Sequence, residues 1–288
     1  MSSTFRTAVL LGLLTALILV MGQALGGPRG LVLAGFLALA MNLGSWWFSD
    51  RIVLTMYRAR ELSPSDAPAL HAMVGELASN AGIPTPRVAL VPTETPNAFA
   101  TGRSPGKAVV AVTEGLLRLL SPDELRGVLA HELGHVRNRD ILVQSVAAVL
   151  AGAIMMVGSW MRWAAIFGMG GGRGDDDEGG GNPLAMILMA VLAPLAAMLI
   201  QMAISRTREY GADRTGAEIS GRPESLASAL EKLATAGKRV PMRMGSEATA
   251  HMFIVNPFTA GSLAGLFSTH PPVEERVRRL RAMAGGSR

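Results

Sequence analysis

The chain has 288 residues, of which 49% are hydrophobic and only 17% charged, with a mean hydropathy of +0.33; this balance argues against an ordinary soluble protein and for membrane insertion. It contains no cysteine, which excludes disulfides and thiolate ligands and leaves histidine and carboxylate as the groups able to hold a zinc ion. The net charge of +5 does not imply nucleic acid as a partner, because the cations cluster beside apolar runs, as they do at the ends of membrane helices.

Residues 8–25 and 31–48 are two charge-free runs separated by Gly26-Gly27-Pro28-Arg29-Gly30. Each approaches the length of about 20 residues that crosses a bilayer, so residues 1–50 are expected to form a transmembrane hairpin. A cleaved signal peptide is the competing account of the first run, given Arg6 ahead of an apolar core.

Residues 51–140 have the character of a globular domain. Ser65 or Asp66 is expected to cap a helix carrying Leu70, Val74 and Leu77 and ending at Asn80-Ala81-Gly82. Residues 87–91, 97–101 and 107–113 are expected strands, the last two joined by a turn through Gly102, Pro105 and Gly106. A helical piece over 114–120 leads into Ser121-Pro122-Asp123-Glu124, an N-cap serine, a proline at the first helical position and a glutamate three residues after the cap. Leu125, Val128 and Leu129 then supply an apolar stripe at helical spacing.

On that helix stands His131-Glu132-Leu133-Gly134-His135. Residues at i and i+4 share a helix face, so both imidazoles can turn to one cation with Glu132 beside its open position. From the composition, the pattern is expected by chance on the order of 0.004 times in a chain of this length. The competing account is a core helix with two satisfied structural histidines.

Residues 141–160 form a third apolar run, starting so close to His135 that the motif helix is expected to continue into the membrane. Trp160, Arg162 and Trp163 have the pattern of an interfacial belt. The Gly-rich acidic stretch 168–181 lacks the ligand spacing of a calcium loop and is taken as solvated. Residues 184–204 make a fourth run that tolerates Pro194 as a kink, which completes a second hairpin over 141–204. Core helices of a soluble enzyme are the alternative for these two runs. Arg6, Arg51, Arg58, Arg60, Arg126, Arg137, Arg139, Arg206, Arg208 and Arg214 would share one side of the membrane, against Arg29, Arg162 and Arg173 on the other. By the positive-inside rule, both termini and the globular segments face the cytoplasm.

A catalytic zinc held by two histidines needs a third protein ligand. In the second globular segment, 205–288, Glu209 and Asp213 lie at i and i+4 on a helix that Gly221 and Pro223 end. Glu209 is the expected ligand and Asp213 an acceptor that fixes a histidine ring. A surface carboxylate paired with arginine is the competing account of Glu209.

The segments His131 to Asp140, Glu209 to Asp213, Asn97-Ala98-Phe99-Ala100-Thr101-Gly102 and Ser268-Thr269-His270-Pro271-Pro272 resemble the HtpX-type membrane zinc metalloproteases, relatives of the CaaX prenyl proteases. The likeness runs through nearly the whole chain. It implies a mainly α membrane protein, four transmembrane helices in two hairpins plus an α+β gluzincin-like zinc protease domain, placed on the cytoplasmic face of the bacterial inner membrane. It also implies one zinc per chain on His131, His135 and Glu209, catalysis by Glu132, and quality control of misfolded or damaged membrane proteins under stress.

Glu132 is then the base that takes the proton of the attacking water and passes it to the leaving amine. His270, ahead of a Pro-initiated helix over 272–283, is a candidate oxyanion donor, with a plain loop or cap role as the alternative; His251 and His71 are read as structural. Asn97, Ala98, Phe99 and Ala100 are a candidate substrate-pairing strand, with a plain core strand as the alternative, and residues 237–245 a candidate lid or ordinary connection. The expected partners are polypeptides, chiefly membrane proteins, and the lipid bilayer. The rivals are a prenyl-protein protease, a non-catalytic zinc-binding scaffold, and a transporter; the last is disfavoured by the scarcity of ionisable residues in the apolar runs.

Overall fold

The structure is a computed structural model that describes residues 3–150, 206–237, 254 and 271–285. The remainder of the third run with Trp160, Arg162 and Trp163, the acidic stretch 168–181, the fourth run, residues 238–245, His251 and His270 lie outside the described residues.

Helix α1, Ser3–Met56, is helical throughout except at Gly27, whose φ of 57° and ψ of −144° break the helix just before Pro28. The chain folds back there, and Asn42 Nδ2 donates to Thr15 Oγ1 at 2.7 Å across the two arms. The second arm, Gly27–Met56, is 30 residues long with a mean hydropathy of 1.6, long and apolar enough to cross a membrane, and most of its apolar window is exposed. It runs past Phe48, where the apolar sequence ends, and delivers Val53 and Tyr57 to the globular part.

That part is built on a four-stranded sheet with order β1-β2-β4-β3, where β1 is Arg60–Glu61, β2 Arg87–Val91, β3 Ala98–Thr101 and β4 Val109–Thr113. β2 and β4 are parallel and the outer pairs antiparallel. Every residue of β4 is buried because both sheet faces are covered, which is why its sequence is an unbroken apolar run instead of an alternation. Val88, Ala98, Ala100, Val110 and Val112 face the main core, while Ala89, Val91, Phe99, Val109 and Ala111 pack on Val53, Tyr57 and Ala148.

Helix α2, Pro68–Ala81, ends at Gly82 in the left-handed region, φ 66°, a conformation glycine adopts without Cβ strain. Its start differs from expectation. The N-cap is Ala67, with no side-chain cap bond, and Asp66 instead accepts from the backbone and hydroxyl of Ser63 in a local turn. The competition between capping and turn formation is inherent in short polar side chains. Helix α3, Glu114–Leu119, precedes α4, Pro122–Arg137, which carries the complete capping box between Ser121 and Glu124.

The motif helix does not run on into the apolar segment. Asn138 caps it, Arg139 takes a φ of 60°, and a separate helix α5, Ile141–Leu150, follows. α5 packs Val146, Ala147 and Leu150 against Leu10 and Leu14 of α1. Helices α6, Arg206–Ser220, α7, Pro223–Gly237, and α8, Val273–Gly285, complete the described chain. Gly221, φ 65°, and Pro223 do end α6, but they also start α7. The apolar face of α7, Leu226, Leu230 and Leu233, closes the main core, each such burial contributing about 1.5–3 kcal/mol.

Candidate metal centre

The site forms where α4 crosses α6. The contact is backbone on backbone: a Cβ placed on Gly216 would lie 2.8 Å from His131 N, and one on Gly134 would lie 2.9 Å from Ala212 O. Glycine at these two positions lets the helices approach closely enough for a carboxylate on α6 to reach imidazoles on α4. The glycine inside the motif thus has a packing reason of its own.

His131, His135 and Glu209 are all buried and offer ligand atoms within 4.8 Å of one another. Glu209 Oε2 is 3.8 Å from His131 Nε2 and Oε1 is 3.5 Å from His135 Nε2. Each imidazole is held from behind at its other nitrogen. Asp213 Oδ1 lies 2.9 Å from His131 Nδ1, and Asp140 Oδ2 lies 3.3 Å from His135 Nδ1. A carboxylate on Nδ1 fixes the ring with Nε2 turned toward Glu209; at His131 the Arg276 Nη2 also lies 3.4 Å from Nε2. Two imidazole nitrogens and one carboxylate, without a thiol, are the donor set of a catalytic zinc site, so these residues fit zinc.

Arg276, fully buried on α8, completes the centre. Its Nε and Nη2 form a fork on Asp213 at 2.8 and 2.7 Å, and Nη1 donates to Ile254 O at 2.9 Å. Nη1 is also 3.8 Å from Glu209. Burial works to raise the Asp213 pKa, but the guanidinium and His131 outweigh it and hold it at about 2. The Arg276 pKa is raised: burial opposes its charge, and Asp213, Glu209 and Glu132 overcome that opposition.

The two histidines are driven in opposite directions. Burial pushes His131 down, Asp213 pulls it up, and Arg276 and His135 push it down again, for a net lowering. At His135 burial is outweighed by Asp140, Glu209 and Glu132, which raise it to about 9. Glu132 is raised to about 7, chiefly by burial, with Glu209 adding to the rise and His135 and the Ala100 amide opposing it. That places a carboxyl group between its two protonation states near neutrality, the condition for a general acid and base.

Glu132 Oε2 accepts the Ala100 N–H at 2.9 Å. Ala100 lies on β3, the outer strand of the sheet among the described residues, so the edge strand and the carboxylate are in direct contact. Since Ala100 turns its amide away from β4, the two-residue alternation of an antiparallel strand turns Ala98 the same way. Asn97 is engaged otherwise: its N–H donates to Thr113 Oγ1, its carbonyl accepts the Thr113 N–H, and its Oδ1 accepts the Ile254 N–H. The Phe99 ring packs on Tyr57 with centroids 5.1 Å apart. His71 hydrogen-bonds Leu62 O at 3.0 Å.

Asp140, Arg276 and the Ala100 amide were not singled out from sequence. Asp140 had a visible signal, an acid five residues after His135. Arg276 had a weaker one, since it stands among Val273, Val277 and Leu280 on the buried face of its helix, where a solvated arginine would be out of place.

Comparison with known proteins agrees with this architecture. The model of peptidase family M48 matches residues 64–284. A "Protease HtpX homolog" of Syntrophobacter fumaroxidans is 61% identical over 283 residues, covering 98% of this chain and 100% of the relative. One of the same description from Thermococcus sibiricus is 58% identical over 279 residues, covering 97% and 95%. Among solved structures, that of S. mikatae Ste24p shares the fold with a TM-score of 0.51 at 19% identity, over 93% of this chain and 65% of that one. The chain therefore belongs to peptidase family M48, among its HtpX-type proteases.

Proposed function

We propose that the chain is a zinc-dependent endopeptidase that cleaves misfolded or damaged membrane proteins at the cytoplasmic face of the cytoplasmic membrane. The observation that carries this reading is the joining of a buried His131–His135–Glu209 cluster to Glu132 and, through Glu132, to an edge strand. His131, His135 and Glu209 would hold the zinc, and when bound it lowers the pKa of a water and polarises a scissile carbonyl. Glu132 takes the water proton and returns it to the leaving amine. Asp140 and Asp213 keep the rings turned toward Glu209. A substrate in extended form adds beside β3, the strand whose Ala100 amide meets the Glu132 carboxylate.

The apolar arm of α1 supports membrane residence, and α5 beside it is read as the start of the second hairpin. Arginine placement supports the cytoplasmic orientation. The test is casein digestion by detergent-purified protein. Cleavage should stop with chelator, return with zinc, and fall by about 10²–10⁴-fold in Glu132→Gln while zinc content stays unchanged. A Glu132→Gln variant that cleaves at the wild-type rate removes Glu132 as the base; chelator-insensitive cleavage removes the zinc.

A further inference from the structure

Three consecutive aromatics close the apolar part of α1: Trp46, Trp47 and Phe48, which are 41, 53 and 44% exposed. Two arginines from different parts of the sequence lie over them. Arg103, in the loop between β3 and β4, has its Cζ 3.9 Å from the Trp47 ring centroid and 5.7 Å from that of Trp46. Arg51 stands 5.9 Å over Phe48. Neither has a carboxylate partner among the described residues, and Arg103 Nη1 is buried with no hydrogen-bond partner.

A guanidinium stacked on an indole face keeps its N–H groups in the plane of the fork, clear of the ring and able to donate. The acceptor that suits such a fork is the oxygen pair of a phosphate. The position says which phosphate. The same helix arm exposes Leu33, Phe36, Leu37 and Leu43, and tryptophans at the end of such an arm sit level with lipid headgroups.

We propose that Arg103 and Arg51, over Trp46 to Phe48, form a clasp for the phosphate of an anionic phospholipid. The proposal rests on the membrane reading above. Its consequence reaches the reaction, because Arg103 follows β3 directly. Thr101 and Gly102 share the Ser145 hydroxyl of α5 at 2.8 and 3.2 Å, and Ala100 holds Glu132. A headgroup on Arg103 therefore pins one end of the substrate-pairing strand at the bilayer surface.

The test uses the full chain carrying Trp160→Phe and Trp163→Phe, so that Trp46 and Trp47 are the remaining tryptophans. It is reconstituted in phosphatidylcholine vesicles containing a minor share of either brominated phosphatidylglycerol or brominated phosphatidylcholine. Brominated phosphatidylglycerol should quench the fluorescence more strongly, reflecting an enrichment of about five-fold per engaged arginine. Arg51→Gln combined with Arg103→Gln should make the two lipids equal, and Arg103→Lys, which keeps the charge, should retain part of the preference. Flotation with the vesicles checks that each variant inserts.

Equal quenching in the parent protein, or a preference that survives the double variant, overturns the clasp. Loss of the preference on adding inorganic phosphate at constant ionic strength reassigns the arginines to a soluble anion and also overturns it. Absence of quenching by either lipid overturns the membrane reading itself.

Discussion

The two histidines of the motif sit one helical turn apart and face the same glutamate, yet they are supported in different ways. His135 is backed by Asp140, five residues along, through the turn that ends α4. His131 is backed by Asp213 from α6, and Asp213 is in turn gripped by Arg276 from α8. One support is local in sequence, made across a helix end. The other exists only when three helices have packed. The electrostatic outcome differs in the same way: at His135 the carboxylates of Asp140, Glu209 and Glu132 outweigh burial and drive it up, while at His131 burial and Arg276 together prevail over Asp213. The lesson is that one turn of helix can carry two ligands whose dependence on the fold is unequal.

The strongest way to break this comparison is to remove the far end of the long-range support. Arg276→Met leaves the Asp213 carboxylate buried without its ion partner, a change that costs about 3–5 kcal/mol. The apparent melting midpoint should fall by on the order of 10 °C. Arg276→Lys keeps the charge but not the fork and should fall between the parent and the methionine variant. A methionine variant that melts with the parent would show that Asp213 is satisfied without Arg276.

A smaller effect sharpens the comparison directly. Asp140→Asn and Asp213→Asn each leave an amide oxygen that can accept from Nδ1 but remove the charge behind the ring. Loss of such a support lowers metal affinity by about 10–100-fold. Asp213→Asn belongs at the upper end of that range because it also strips Arg276 of its close counter-charge, and Asp140→Asn at the lower end. Competition titration of zinc against a chelating dye gives both values, and a larger loss in Asp140→Asn would reverse the assignment of local and long-range support.

The same division decides what the sequence alone could disclose. The ligand pair, the glutamate between them and the capping box are short-range patterns, and the structure carries all of them within α4. Glu209 required a chemical argument, the need for a third ligand, because its i, i+4 pairing with Asp213 is a pattern that a surface helix also shows. Arg276 was only weakly marked for a physical reason: its role depends on Asp213 and Ile254 arriving from other elements, and the arginines at 278, 279 and 281 around it are surface residues of similar appearance. The Ala100 amide is a backbone group, and residue type does not announce the use of a peptide N–H. The expected continuation of α4 into the apolar run failed at Arg139, where a positive φ turns Asp140 back onto His135. The break is what creates the local support.

Glu124, at the start of the same helix, combines both kinds of support in one side chain and gives the mildest test. Locally it accepts the Ser121 N–H, and across the core it accepts from Ser228 and Lys232 of α7. Burial works to raise its pKa, but these partners prevail and hold it at about 2, below the usual glutamate value near 4.3. The sign follows. A carboxylate with a depressed folded pKa stabilises fully above its unfolded value and loses that contribution as pH falls toward the folded one. Glu124→Gln, which keeps an acceptor for the cap but not the charge opposite Lys232, should cost about 1–2 kcal/mol at neutral pH. The difference in melting midpoint between parent and variant, measured in chelator so that metal release plays no part, should narrow from about pH 4.3 downward and nearly vanish by about pH 2. A difference that persists unchanged through that window would mean that the local cap, indifferent to the charge, supplies the stability, and that the reach to α7 contributes little.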